Sequence, residues 1–176
     1  RGGPAPSATS GESMNEPESR SDVDRSIPEA LSSLYQEVIL DHYRSPRNKG
    51  EMEDATHDLT MNNPLCGDVV ELQLDVSGGR IRRARFQGRG CSISQAAASM
   101  LTGELEGRSV PEALELSEKF TRLMHGEEQL SRDESLGDLR ALAGVSKFPV
   151  RIKCALLGFN CVEELLGEGD DEAEER

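Results

Sequence analysis

The sequence predicts an α+β domain in which a small antiparallel sheet of about three strands is packed by helices on one face. Three observations carry that expectation. Strand-like alternation is confined to the first half of the chain, helical periodicity takes over after Cys91, and a Gly78-Gly79 turn joins two of the alternating runs.

The elements follow in order. Residues 1–27 are built from Gly, Pro, Ser, Glu and Asp with almost nothing apolar, so they cannot offset their ordering entropy and are expected to be disordered. The first residue is Arg; Met14 is the first candidate for a natural start, with residues 1–13 then upstream sequence. Ser26, Pro28 and Glu29 read as a capping box with proline in the first turn. Leu31, Leu34, Tyr35, Val38, Ile39 and His42 then recur at helical spacing until Pro46 forces the preceding residue out of helical geometry. A strand is expected over residues 56–61. Val70, Leu72, Leu74 and Val76 mark a second, and Ala84 and Phe86 point inward from a return strand over residues 80–87. A helix starts at Ser92, and Ser109-Val110-Pro111-Glu112 caps another that runs to about Met124. A short helix over residues 136–142 and a last one over residues 149–166 complete a domain of residues 28–167. An acidic tail, residues 168–176, is expected to be disordered.

Charge and composition narrow the function classes. The 176 residues carry 33 acidic and 20 basic side chains, net −13, which disfavours nucleic acid and anionic membranes as partners. No apolar run approaches the roughly 18 residues of a membrane span, nor does a signal-peptide stretch open the sequence, so a cytoplasmic protein is expected. Four cysteines are too few for a disulfide scaffold in a chain of this length.

Three thiols and a carboxylate carry the chemistry. Cys66 and Asp68 lie in NNPLCGDVV, Cys91 in QGRGCSIS and Cys154 in KFPVRIKCALL. Alternate residues of an extended chain point to one side, and Gly67 lets the backbone bend so that Cys66 and Asp68 can reach one ion. Cys91 opens a helix, where backbone N–H groups and the positive helix end favour a thiolate. Together the four make a plausible four-coordinate zinc site. Spacing alone leaves the blander reading open, since free cysteine is a common buried apolar residue and no C-x-x-C pair is present. Cys161, seven residues after Cys154, lies about 10.5 Å further along one helix and belongs with the core stripe Cys154, Leu157, Cys161, Leu165. His42 reads as a structural histidine, and His57 and His125 as surface. Arg80, Arg82, Arg83, Arg85 and Arg89 form a basic strand that is either a charge-balancing solvent face or a docking patch near Cys91.

LYQEVILDHYRSPRNKG, NNPLCGDVVELQL, GRGCSISQAAASMLT and SKFPVRIKCALL, in that order, resemble the SufU/IscU/NifU N-terminal family of iron–sulfur assembly proteins over about residues 30–166. The resemblance is closer to the SufU branch. IscU-type proteins place a histidine immediately before the third cysteine, where this chain has Lys153, and carry an L-P-P-V-K motif that SKFPVRIKC replaces. The resemblance implies a SufE/NifU-like fold and a zinc site at Cys66, Asp68, Cys91 and Cys154. It also implies a sulfur relay. A SufS-like, PLP-dependent cysteine desulfurase supplies persulfide sulfur, Cys66 accepts it, and a downstream Suf scaffold or apo-protein receives it. In that scheme the protein is a sulfurtransferase-like partner rather than a stand-alone enzyme, with Arg151 helping to dock the desulfurase or to screen the persulfide's charge. Two alternatives stay open: a scaffold holding iron or a transient [2Fe–2S] cluster on the same ligands, and a non-catalytic zinc-stabilised interaction module.

Overall fold

The computed structural model describes residues 33–174, with side chains described for residues 35–167. The expectations for residues 1–27, and the capping box at Ser26–Glu29, lie outside that range.

The elements are helix α1 (Ser33–Arg44), strands β1 (His57–Asn63), β2 (Asp68–Ser77) and β3 (Arg80–Arg89), and helices α2 (Ser92–Leu105), α3 (Val110–Met124) and α4 (Pro149–Glu174). Two 3₁₀ segments, Glu128–Arg132 and Glu134–Lys147, connect α3 to α4. The sheet is antiparallel in the order β1-β2-β3. Its architecture is the α+β one that the alternation predicts.

Alternation decides which sheet face is covered. Val70, Leu72 and Leu74 of β2 and Ile81, Ala84 and Phe86 of β3 are all buried. In register, Leu72 sits between Leu59 and Phe86, so one face of all three strands is apolar. Burying each large aliphatic side chain contributes up to about 1.5–3 kcal/mol, which fixes the register, because a one-residue slip would turn the whole set to water. Gly78 and Gly79, both at positive φ, make the tight turn between β2 and β3.

Helix α2 lies at the centre of the domain, buried along nearly its whole length. Its Ala96, Ala97, Ala98 and Ser99 are small enough to let α1, α4 and the sheet approach. Gly158 of α4 meets α2 closely; a Cβ there would stand 2.9 Å from Leu101. Ser109 and Glu112 form the reciprocal cap of α3 that their spacing predicts. Phe120 and Phe159 stack at 4.1 Å between α3 and α4.

Two expectations are corrected. The short helix over residues 136–142 is a longer 3₁₀ segment, Glu134–Lys147, kinked at Gly137 (φ 54°, ψ −133°). The positive φ at Gly137 suits glycine and interrupts the helical run, and the Glu104 carboxylate of α2 lies where a Cβ there would stand. The final helix, expected over residues 149–166, is longer and runs to Glu174. No proline interrupts residues 167–174.

Candidate metal centre

The sheet's first hairpin places two of the four candidate ligands. Asn63 pairs with Asp68 to close β1 on β2, leaving residues 64–67 as the connecting loop. Gly67 turns that loop at φ 71°, a left-handed conformation that suits glycine. Asn63 holds it from both ends. Its carbonyl accepts the N–H groups of Cys66 (3.2 Å) and Gly67 (2.8 Å), and its Oδ1 accepts that of Leu65 (3.1 Å). Cys66 is left half-buried at the loop's inner edge.

Asp68 is 1% exposed at the start of β2. Its Oδ1 accepts the Cys91 backbone N–H at 2.9 Å, and its Oδ2 lies 3.8 Å from Cys91 Sγ. Gly90 makes this approach feasible, since a Cβ there would collide with the Asp68 carboxylate and the Ser94 hydroxyl. Cys91 is the N-cap of α2 (φ −69°, ψ 168°). Cys154, 1% exposed in the second turn of α4, has its sulfur 3.8 Å from Asn63 Nδ2 and 3.7 Å from the Val150 carbonyl.

The ligand atoms of Cys66, Asp68 and Cys154 all lie within 4.8 Å of one another. Sulfurs sharing a tetrahedral ion with bonds of ~2.3 Å sit ~3.8 Å apart, so a small contraction suffices. Cys91 falls outside that mutual cluster but touches Asp68 and lies near enough to Cys154 for each thiol to shift the other. Three thiolates and one carboxylate suit a thiophilic, four-coordinate divalent ion.

Electrostatics distinguish the thiols. Cys91 is drawn down to about 6, chiefly because the Cys154 thiol donates to its sulfur; the Ser94 backbone N–H and Arg151 assist, while burial and Asp68 oppose. Cys154 is pushed up because it holds that shared proton and is desolvated, with Asp68 and Cys66 adding to the effect. A neighbouring thiol, more than the helix end, is what draws Cys91 down. Cys161 stands apart. It is buried against β1 with its sulfur 3.7 Å from the Leu59 carbonyl, and burial first, Glu164 second, push it up to about 12.

The remaining candidates separate clearly. Arg151 is half-buried and near enough to Cys91 to act on it, whereas Lys153 points to solvent. His42 is buried and doubly bonded, with Nδ1 2.8 Å from Ser99 Oγ and Nε2 2.8 Å from Asp138 Oδ2. In the basic strand, Arg83 pairs with Asp54 and Asp75, and Arg80 donates to the Gly107 carbonyl. Asn63 is the residue that sequence reasoning passed over. An asparagine immediately before a Pro-x-Cys turn is the available signal, because its side chain readily bonds backbone two residues on, here at Leu65.

An α+β domain with thiols and a carboxylate gathered at one end of its sheet defines a class, and the chain belongs to it: the family model for the NifU-like N terminal domain matches residues 34–155. The chain is 47% identical to the zinc-dependent sulfurtransferase SufU of Bacillus subtilis (strain 168) over 136 residues, covering 76% of this chain and 90% of that protein. It is 40% identical over 136 residues to the iron–sulfur cluster assembly scaffold protein IscU of Streptococcus pyogenes serotype M1, covering 77% and 84%. Among solved structures, a SUF-system scaffold protein from Fervidobacterium islandicum AW-1 superposes with a TM-score of 0.67 at 31% identity, covering 74% of this chain and 94% of that one.

Proposed function

We propose that this protein is a SufU-type sulfur acceptor of iron–sulfur cluster assembly, in which Cys66, Asp68, Cys91 and Cys154 hold zinc and Cys66 receives the sulfur. The observation that carries the reading is the convergence of Cys66, Asp68 and Cys154 within 4.8 Å, with Cys91 against Asp68. Similarity to a zinc-dependent sulfurtransferase supports the choice of metal. Zinc, when bound, keeps the thiols deprotonated while limiting their exposure to oxidants.

The chain's own residues divide the work. Cys154 sits on a helix, buried and touched by Asn63, so it is the fixed thiol. Cys66 sits on a loop between strands and is the thiol most free to meet a partner. Its sulfur attacks the terminal sulfur of a persulfide on a PLP-dependent cysteine desulfurase. The donor's S–S bond breaks, the donor cysteine leaves as a thiolate, and the transferred sulfur stays on Cys66 as a persulfide anion. No electrons are gained or lost, and no further reactant is required. Arg151, whose charge already acts on the neighbouring Cys91, is the cation assigned to offset that anion. Delivery to a downstream Suf scaffold or apo-protein, in the cytoplasm, completes the relay.

The test is alanine formation by a cysteine desulfurase. The zinc-loaded protein should stimulate turnover, and Cys66→Ala should abolish the stimulation. The IscU relative favours a second reading, a scaffold for a transient [2Fe–2S] cluster on the same ligands. Anaerobic reconstitution separates the two: a stoichiometric cluster passed to an apo-protein, with desulfurase turnover unchanged, identifies the scaffold.

A further inference from the structure

Among the described residues only two large hydrophobic side chains are exposed, Leu65 at 73% and Val150 at 61%. Both border the candidate metal centre. Leu65 precedes Cys66, its backbone N–H fixed by Asn63; Val150 lies one helical turn before Cys154, its carbonyl facing that sulfur. Each follows an exposed proline, Pro64 and Pro149, so the backbone presenting it is stiff. Two apolar side chains held in water beside the only gathered thiols are not explained by the core, which they do not join.

The surrounding charge is equally selective. In a chain of net −13, residues 62–67 and 147–153 contain no carboxylate, but they do contain Lys147, Arg151 and Lys153. Arg151 and Lys153 form no ion pair among the described residues. The apolar pair is thus edged by positive charge with no carboxylate paired to it among the described residues, the complement of a partner with an apolar recess bordered by carboxylates.

We propose that Leu65 and Val150 are the apolar anchors by which the sulfur-donor protein seats on this chain, with Lys153 and Arg151 steering an acidic rim into place. This rests on the sulfur-acceptor reading and adds the surface that recognises the donor. The anchors flank the thiols, so docking brings the donor's persulfide to Cys66 rather than merely near it. The hydrogen bonds that tie both residues to the site use backbone atoms, so changing their side chains should leave the ligand geometry in place.

The experiment titrates the zinc-loaded full chain into a cysteine desulfurase and measures alanine release, zinc content and thermal midpoint. For the Leu65→Ser/Val150→Ser double variant, the half-saturating concentration should rise by about 10-fold or more, with maximal rate, zinc content and midpoint unchanged. Lys153→Glu should raise it about 3-fold or more and flatten its dependence on salt. Unchanged half-saturation in the double variant overturns the docking surface and leaves the sulfur-acceptor function standing. No stimulation by the wild-type protein overturns both. Self-association of the wild type in sedimentation velocity, lost in the double variant, assigns the anchors to a second copy and overturns the donor as occupant.

Discussion

Asn63 does three things at once: it turns the loop carrying Cys66, pairs across the hairpin with Asp68, and places its amide beside the Cys154 sulfur. Partners of metal-binding residues typically change affinity 10–100-fold when removed, so Asn63→Ala should weaken zinc retention by at least about 10-fold. Competition with a chelator measures it, and the overall fold should persist. The thiols also differ in their response to pH. In the metal-free protein Cys91 loses its proton near pH 6, whereas Cys154 and Cys161 keep theirs well above neutrality. At pH 7 iodoacetamide should therefore modify Cys91 before either buried thiol, with its rate falling as pH drops through about 6. The sign for stability follows. A thiol whose folded value lies below its ordinary 9 contributes stability that is fully present above 9 and lost as pH falls through about 6. Cys154 acts oppositely, losing its contribution as pH rises above 9.

Between elements, His42 is the main polar tie. It joins α1 to Ser99 of α2 and to Asp138 of the second 3₁₀ segment, and the same Ser99 hydroxyl accepts the Arg47 backbone N–H at 2.7 Å. His42→Ala leaves a buried hydroxyl short of a partner and opens a cavity. A loss of about 2–3 kcal/mol in urea unfolding is expected, with zinc stoichiometry retained because His42 touches none of the ligands. Elements with strong local signals were legible in the sequence. The alternation Val70, Leu72, Leu74, the Gly78-Gly79 turn and the Ser109 cap each name their structure through nearest neighbours. Features decided across the chain were not. The segment Glu134–Lys147 is kinked at Gly137, which packs against Glu104 of α2, and the edge of β3 is covered at Phe86 by residues 48 and 50. The Cys66-Gly67-Asp68 spacing suggested one ion, but only packing shows that Cys154, on α4, lies beside that loop.

At the scale of the whole molecule, the four candidate ligands come from the β1–β2 loop, β2, the start of α2 and α4. An ion there would tie the sheet to two helices. No helix among the described residues is long and apolar enough to cross a membrane. Structural zinc can contribute on the order of 10 kcal/mol, so chelation should lower the thermal midpoint by about 10 °C or more. Readdition of zinc should restore it, and scanning calorimetry follows both steps. The negative charge of the chain matters at this scale too. It opposes association with other acidic proteins, and in the proposed docking surface the local positive edge at Lys153 and Arg151 counters that repulsion.

The most direct measurement is peptide mass spectrometry of the zinc-loaded protein after mixing with a cysteine desulfurase and cysteine. The account predicts the mass of one added sulfur atom on the peptide containing Cys66, absent when cysteine is withheld. An added sulfur found only on Cys154 or Cys91, or on no cysteine of a protein that binds no zinc, would contradict it.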